Sequence, residues 1–485
     1  MTDRQWFYRI VAAAGLASLG GFLYAGAQAD RLARIGAGYK AKIACSERFV
    51  AGRDADAVLQ AEFAGIDPML DRIRVRIDER RRSVRASGPL GLGQARAVYR
   101  DGYGCTLTNG GRAADLPALA PMAAGDPWPV APRGAQDAAA RVDYAALDAA
   151  LAGAFEENAT GNRAVLVAVD GRIVAERYAD GFSRETSFLS WSMAKSVTAT
   201  LIGAAVHRGL IDIDAPAPVD AWRDDPVRAQ ITWRDLLHMQ SGLDFEEAYD
   251  DARSDVNRML FEASDAGAAA IRARPAHAPG EVWSYSSGTT NILARLLRET
   301  LAREGLNDQE FARKALLAPI GADSVILEPD ASGVFVGSSF AYATARDWAR
   351  LGQLYLQDGV WDGARLLPEG WSAFVAAPAA RSDNQYGAHF WLNRDGADGR
   401  ARFFKGLPES VYMMSGHEGQ YVLIDPSRNA IIVRTGLTRG QAPAAATAPL
   451  FAALYDAIGG MSDGAANGAS GDDATTRAGA LSADR

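Results

Sequence analysis

The sequence predicts a mixed α/β (α+β) fold: a sheet flanked by helices, a helical subdomain beside it, and a small α+β unit ahead of both. Three observations carry this. Residues 164–169 and 172–177 are strand-like runs separated by Asp170-Gly171, the strongest short hairpin signal. Far along the chain, 420–425 and 430–435 are apolar strands joined by Pro426-Ser427-Arg428-Asn429. Between these pairs lie segments of helical period with clear ends. Strands at both ends of one unit, with helices between, make a sheet that the two ends complete together.

Bulk composition sets the bounds. The chain has 485 residues, enough for two or three units. Apolar content of 48% and charged content of 23% are ordinary for a globular protein. A net charge of −8 argues against a nucleic-acid binder.

The first unit, residues 1–29, reads as a signal peptide or membrane anchor. No charged residue occurs from Ile10 to Ala27, a length just sufficient to span a bilayer. Arg4 and Arg9 precede it, and Ala27-Gln28-Ala29 has the small-x-small form of a signal-peptidase site. A cleaved signal, an uncleaved anchor and a buried helix all fit this pattern. Either of the first two gives a protein that is periplasmic or held at the inner membrane facing the periplasm, with 10–27 as the tether. Export would put Cys45 and Cys105, the two cysteines of the chain, where they can pair as a disulfide. The other reading is two separate buried thiols. Neither their spacing nor their neighbours indicate a metal site.

Residues 30–109 read as a small domain containing a sheet. Arg72-Ile73-Arg74-Val75-Arg76-Ile77 alternates with period two and has one basic face, and 96–100 is similar. A solvated edge strand explains that face, and contact with anionic lipid is the alternative. Ser87-Gly88-Pro89 supplies a turn. Residues 110–141 hold scattered prolines among alanines and read as a linker. Residues 460–485 have almost nothing to bury, which predicts disorder.

The large unit, 142–459, carries the chemistry. Thr232 and Asp235 form a capping-box start before Leu236-Leu237. Thr289 is expected to cap a helix with Ile292, Leu293, Leu296 and Leu297 inward, and Thr344 another with Trp348 and Leu351. Segment 192–208 is apolar on most sides and therefore buried, with Gly209 suited to its end. It begins with Ser192-Met193-Ala194-Lys195. A serine and a lysine three apart on a helix share a face. Burial disfavours charge on the lysine, and a neutral lysine can take the serine's proton and make it a nucleophile. The chain holds only five lysines, and Lys195 alone has a serine three residues before it. Tyr285 follows in a Ser/Gly-rich loop that can present a phenol for proton transfer. His417 sits just before an apolar strand.

These residues, in this order, resemble a family of serine hydrolases: class C β-lactamases, penicillin-binding carboxypeptidases, related esterases and 6-aminohexanoate-dimer hydrolases. The family carries S-x-x-K, then Y-x-N or a relative, then K-T-G or H-x-G. Here Ser192-Met193-Ala194-Lys195, Tyr285-Ser286-Ser287 and His417-Glu418-Gly419 stand at those places. The runs Leu236-Leu237-His238-Met239-Gln240-Ser241-Gly242 and Thr344-Ala345-Arg346-Asp347-Trp348 are also similar to it. The resemblance spans about 144–458 and implies a β-lactamase-like antiparallel sheet. It implies Ser192, Lys195 and Tyr285 as catalytic residues. It also places His417, Gly419 and a backbone N–H near Gln420 along the substrate, that N–H completing an oxyanion hole with Ser192. Tyr249 resembles a substrate-side tyrosine of the aminohexanoate-dimer hydrolases, although its acidic loop otherwise reads as a solvated face.

The departures from the family pattern are informative. Ser287 replaces the asparagine of Y-x-N, and His417 replaces the lysine of K-T-G. Both favour an amide or ester hydrolase acting on a small molecule, with no cofactor or metal. A D,D-peptidase or β-lactamase is the enzymatic alternative, and a non-catalytic penicillin-recognising membrane protein is the alternative from another class. Ser382-Asp383-Asn384 spells a β-lactamase motif, but it falls after Tyr285, in the wrong order for catalysis.

Overall fold

The structure, a computed structural model, describes residues 3–109, 111–123, 141–156 and 158–459, without the side chains of 3–20, 22 and 23. The expected disordered tail and residues 124–140 of the expected linker lie outside the described residues.

The central sheet joins both ends of the large unit, as the strand pattern predicts. Strands β5 (Asn162–Val169) and β6 (Arg172–Tyr178) form the hairpin. Asp170 and Gly171, both at positive φ, make its turn. Three short strands follow, β7 (Phe188–Leu189), β8 (Ile326–Leu327) and β9 (Ala341–Ala343), in a small sheet of order β7-β9-β8. Strands β10 (Val360–Trp361) and β11 (Ala364–Arg365) pair alone. The main sheet is completed by β12 (Trp391–Leu392), β13 (Tyr412–Gly416), β14 (Gln420–Asp425) and β15 (Ala430–Gly436), in the antiparallel order β12-β13-β14-β15-β5-β6.

Side-chain alternation divides this sheet between two cores. Leu166, Ala168, Val422, Ile424, Ile431 and Val433 face one. Val165, Val167, Val169, Leu423 and Ile432 face the other. Both faces are covered, which is why these strands read as continuous apolar runs. The helices Met193–His207 and Ala345–Leu356 lie on the first face, and Tyr144–Glu156 pairs with Pro443–Ala457 on the second. Thr232 and Thr344 cap their helices as expected. The helix expected to start at Thr289 is instead Ser287–Arg303. Its cap is Ser286, whose hydroxyl accepts the Thr289 N–H, so Thr289 already lies inside the first turn.

Ahead of this unit lies a sheet of β1 (Arg74–Asp78), β2 (Ser83–Ser87), β3 (Ala95–Arg100) and β4 (Gly104–Leu107), antiparallel in that order. Pairing of β1 begins at Arg74, two residues later than the alternation suggests. One helix, Asp3–Phe49, includes the expected cleavage site in its continuous run, and its C-terminal half packs on the inner face of this sheet. Among the described residues no helix is long and apolar enough to cross a membrane. Most side chains of the expected anchor, 10–27, lie outside those described.

The N-terminal unit shares the larger core. Ile35, Ala41 and Ala44 of the helix, with Val84 and Ala97 of the sheet, belong to the apolar cluster that contains Val197 and Trp348. The joint has a buried polar centre. Lys42 and Ser46 of the helix and the Cys105 N–H of β4 all donate to the carboxylate of Glu328 from the large unit. Gly38 lets the helix approach closely, because a Cβ there would stand 2.3 Å from the carbonyl oxygen of Phe261. Cys45 and Cys105 are disulfide-bonded across 60 residues of sequence.

A crosslink over a loop of that length stabilises by about 4 kcal/mol in the chain-entropy model. Replacing both cysteines by serine is therefore expected to lower the denaturant midpoint of the oxidised protein by a corresponding amount. Reductant should lower the wild type and leave the double variant unchanged.

Candidate active site

The site forms where the helix Met193–His207 begins. Residues Met193 to Ala205 of that helix are all buried, so its apolar sequence fixes it inside the core. Ser192 is its first-turn entry residue and stays partly accessible. The residue before it, Trp191, has φ +44°, unusual for a bulky side chain. Packing holds it there. Its ring stacks on Tyr39 at 6.3 Å, tilts against Phe340 at 6.2 Å and meets the His417 ring edge-on at 5.5 Å. Ser190 ties the same loop to the 338–341 segment, donating its N–H to the Ala341 carbonyl and accepting the Ala341 N–H on its hydroxyl.

Lys195 points back along the helix to Ser192, with Nζ 3.1 Å from Oγ. The same nitrogen is 2.9 Å from the hydroxyl of Ser287 and 3.1 Å from the carbonyl oxygen of Ser338. Lys195 is 1% exposed. Burial pulls its pKa down to about 8, against the nearby Glu247 carboxylate, which favours the charged form.

Ser287 is the residue that departs from Y-x-N, and it has a second partner. Its hydroxyl and its N–H both donate to Glu247, the N–H at 2.8 Å. Tyr249 donates to the same carboxylate. Sequence reasoning missed Glu247, taking its loop for a solvated face. Phe245 and Ala248 on either side were the available sign that this loop turns one side inward; Phe245 packs against Gly288.

Tyr285 stands beside both Ser192 and the lysine. Lys195 Nζ sits 4.8 Å from the centre of its ring. Burial and then the Glu247 charge push the phenol pKa up, and hydrogen bonding with Ser192 works the other way. The ring packs on Trp391 at 5.3 Å and Tyr386 at 5.8 Å.

His417 and Tyr249 are neighbours, their ring centres 5.9 Å apart, so the structure brings both to the mouth of the site beside Trp191. Burial of the imidazole lowers its pKa. Gly419 and Gln420 lie behind the His417 turn. Gly419 has φ +84°, and a side chain there would strike Arg434. Gln420 pairs with Gly416 across β13–β14, and its amide bridges to both carbonyl and N–H of Gly436. Their part in the structure is to shape the turn that presents His417. Ser382 of the out-of-order motif is buried, its hydroxyl bonded to the carbonyls of Ala379 and Tyr386.

Comparison with known proteins gives the family and the fold. The family model described as Beta-lactamase matches residues 147–457. A 6-aminohexanoate-dimer hydrolase from Paenarthrobacter ureafaciens is 27% identical over 300 residues, covering 58% of this chain and 73% of its own. Two solved structures share the fold. One from Bacillus anthracis, provisionally described as a 6-aminohexanoate-dimer hydrolase, has TM-score 0.52 and 22% identity, with 62% of this chain and 79% of that one covered. A penicillin-binding protein homolog from Caulobacter crescentus has TM-score 0.51 and 20% identity, with 65% and 97% covered. The chain belongs to the Beta-lactamase family. It is a hydrolase of β-lactamase fold, related to 6-aminohexanoate-dimer hydrolase.

Gly416 is where the end of β13 meets the loop leading into Ser192: a Cβ there would stand 2.2 Å from the Ser190 carbonyl oxygen. Gly416→Ala is expected to destabilise by about 1–3 kcal/mol, the usual range for overpacking. Thermal denaturation would read the loss, and covalent labelling of Ser192 by a fluorophosphonate should slow in the same variant.

Proposed function

We propose that the chain cleaves a small-molecule amide or ester through an acyl-enzyme, with Ser192 as nucleophile, Lys195 as base and Tyr285 as proton donor. The observation that carries this is the environment of Lys195. A neutral lysine has two N–H groups and one lone pair. The Ser338 carbonyl can only accept, and Ser287 accepts because its own proton goes to Glu247. The lone pair is then left for the proton of Ser192, 3.1 Å away.

Ser192 Oγ attacks the carbonyl carbon and its proton passes to Lys195. Negative charge collects on the carbonyl oxygen. The Ser192 N–H, without a backbone acceptor among the described residues, is available to that oxygen at the positive end of the helix. The raised pKa of Tyr285 keeps its phenol protonated at neutral pH. It can therefore give a proton to the departing amine or alcohol, and the proton on Lys195 replaces it. In the second half, water gives a proton to Lys195 and adds to the acyl carbon. Ser192 leaves with that proton and the acid is released. Trp191, His417 and Tyr249 line the approach of the acyl group. The relative named for 6-aminohexanoate dimer supports a small substrate. The Cys45–Cys105 disulfide supports an exported protein, periplasmic or tethered at the inner membrane through 10–27.

Ser192→Ala should lose all fluorophosphonate labelling and ester turnover with an unchanged melting temperature; retained turnover refutes the assignment. Tyr285→Phe should keep the label site but lower kcat by roughly 10²–10⁴-fold, the usual worth of a general acid. The active form has Lys195 neutral, so kcat/KM for an uncharged ester should rise with pH and level off above about 8. A profile that is flat from acid to neutral pH would mean that the lysine is not the base.

A further inference from the structure

The outer face of the N-terminal sheet carries a ladder of arginines. Arg76 of β1 stands directly opposite Arg85 of β2, which stands opposite Arg96 of β3. Adjacent strands are about 4.8 Å apart, and like charges placed directly across a sheet destabilise it. Arg74 lies two residues along the same face, and Arg72 just before it. Among the described residues none of these five side chains has an ion-pair or hydrogen-bond partner. Two nearby carboxylates are otherwise engaged, Asp78 by Arg81 and Glu79 by Arg48. A fold with net charge −8 has carboxylates to spare, yet it leaves this face positive.

A second observation lies at one end of the same sheet. Leu90, in the loop from β2 to β3, is fully exposed and held at φ +57°. The loop is fixed to the N-terminal helix where the Gly93 N–H donates to Asp30 at 2.8 Å. From that point the helix continues toward its N-terminus through residues 3–29, roughly 40 Å at 1.5 Å per residue. Residues 10–27 of that stretch carry no charged side chain. Arg74 and Arg96 belong to the same end, since Arg74 pairs with Ser87 just before the loop and Arg96 follows just after it.

We propose that the N-terminal unit rests on an anionic phospholipid surface, with Leu90 entering the interface and Arg72, Arg74, Arg76, Arg85 and Arg96 at the headgroup phosphates. An apolar tip beside unpaired cations matches a bilayer, which offers phosphate and hydrocarbon within one side-chain length. A nucleic acid offers phosphate alone and gives an exposed leucine nothing to enter.

The test uses the full chain with Leu90→Cys, whose thiol is unique because Cys45 and Cys105 are bonded to each other. It carries a dye that shifts to the blue in apolar surroundings. Vesicles of phosphatidylcholine with phosphatidylglycerol should shift the dye, and high salt should remove the shift. Charge reversal at Arg76, Arg85 and Arg96 should weaken the shift-linked partitioning at least about tenfold. Arg85→Gln, which relieves the ladder, should weaken it with no fall in melting temperature. Equal shifts on vesicles of phosphatidylcholine alone overturn the proposal, because insertion would then need no arginine. So does no shift on either vesicle, or binding to a single-stranded nucleic acid that competes with the vesicles at equal affinity.

Discussion

One ammonium group withheld from water organises this molecule. Lys195 sits on a helix whose whole first three turns are buried, so its nitrogen cannot be solvated and has no carboxylate in direct contact. Desolvation pulls the pKa down; Glu247, one hydroxyl away through Ser287, limits the fall. The result near 8 leaves both protonation states populated around neutral pH, the condition that the proposed role of Lys195 as base calls for. A direct ion pair would have fixed the charge, and burial without Glu247 would have depressed it further.

The elements around this group make it rigid. The helix depends on the six-stranded sheet, whose central strands β15 and β5 come from opposite ends of the large unit. The loop leading into Ser192 is sealed by β13 at Gly416 and by the 338–341 segment, which also supplies the Ser338 carbonyl. Trp191 keeps its strained backbone because Tyr39, Phe340 and His417 close on three sides of its ring. One of these three, Tyr39, comes from the N-terminal helix, outside the region matched by the family model. The added unit therefore reaches the residue next to Ser192. The disulfide ties that unit's helix to its own sheet, and the buried Lys42–Ser46–Glu328 centre, whose charges water cannot reach and which must satisfy one another, holds it against the large unit.

Much of this was legible because local rules apply to it. Asp170-Gly171 specifies its turn whatever surrounds it, and Thr232 and Thr344 cap helices through atoms within three residues. The lysine at i+3 from Ser192 had to face it. The error at Thr289 was of the same local kind: Ser286 offers an equivalent hydroxyl, and only the loop's path from Tyr285 decides which serves. Glu247 was illegible for another reason. Its loop is acidic and polar in sequence, and nothing local announces that a carboxylate there will meet a serine forty residues away. The use of the Gln420 side chain was equally illegible: it bridges to Gly436, sixteen residues on, across the sheet.

By itself the sequence determined the sheet completed from both ends, the helix that buries Lys195, and the order of Ser192, Tyr285 and His417, since periodicity, capping and spacing act within a few residues. Only the tertiary structure decided which groups gather around that lysine and the loop before it. Ser338, Ser287, Glu247 and Tyr39 come from separate segments. Their convergence is set by how the helices, the sheet and the N-terminal unit pack, and packing is a property of the whole chain that no short stretch encodes.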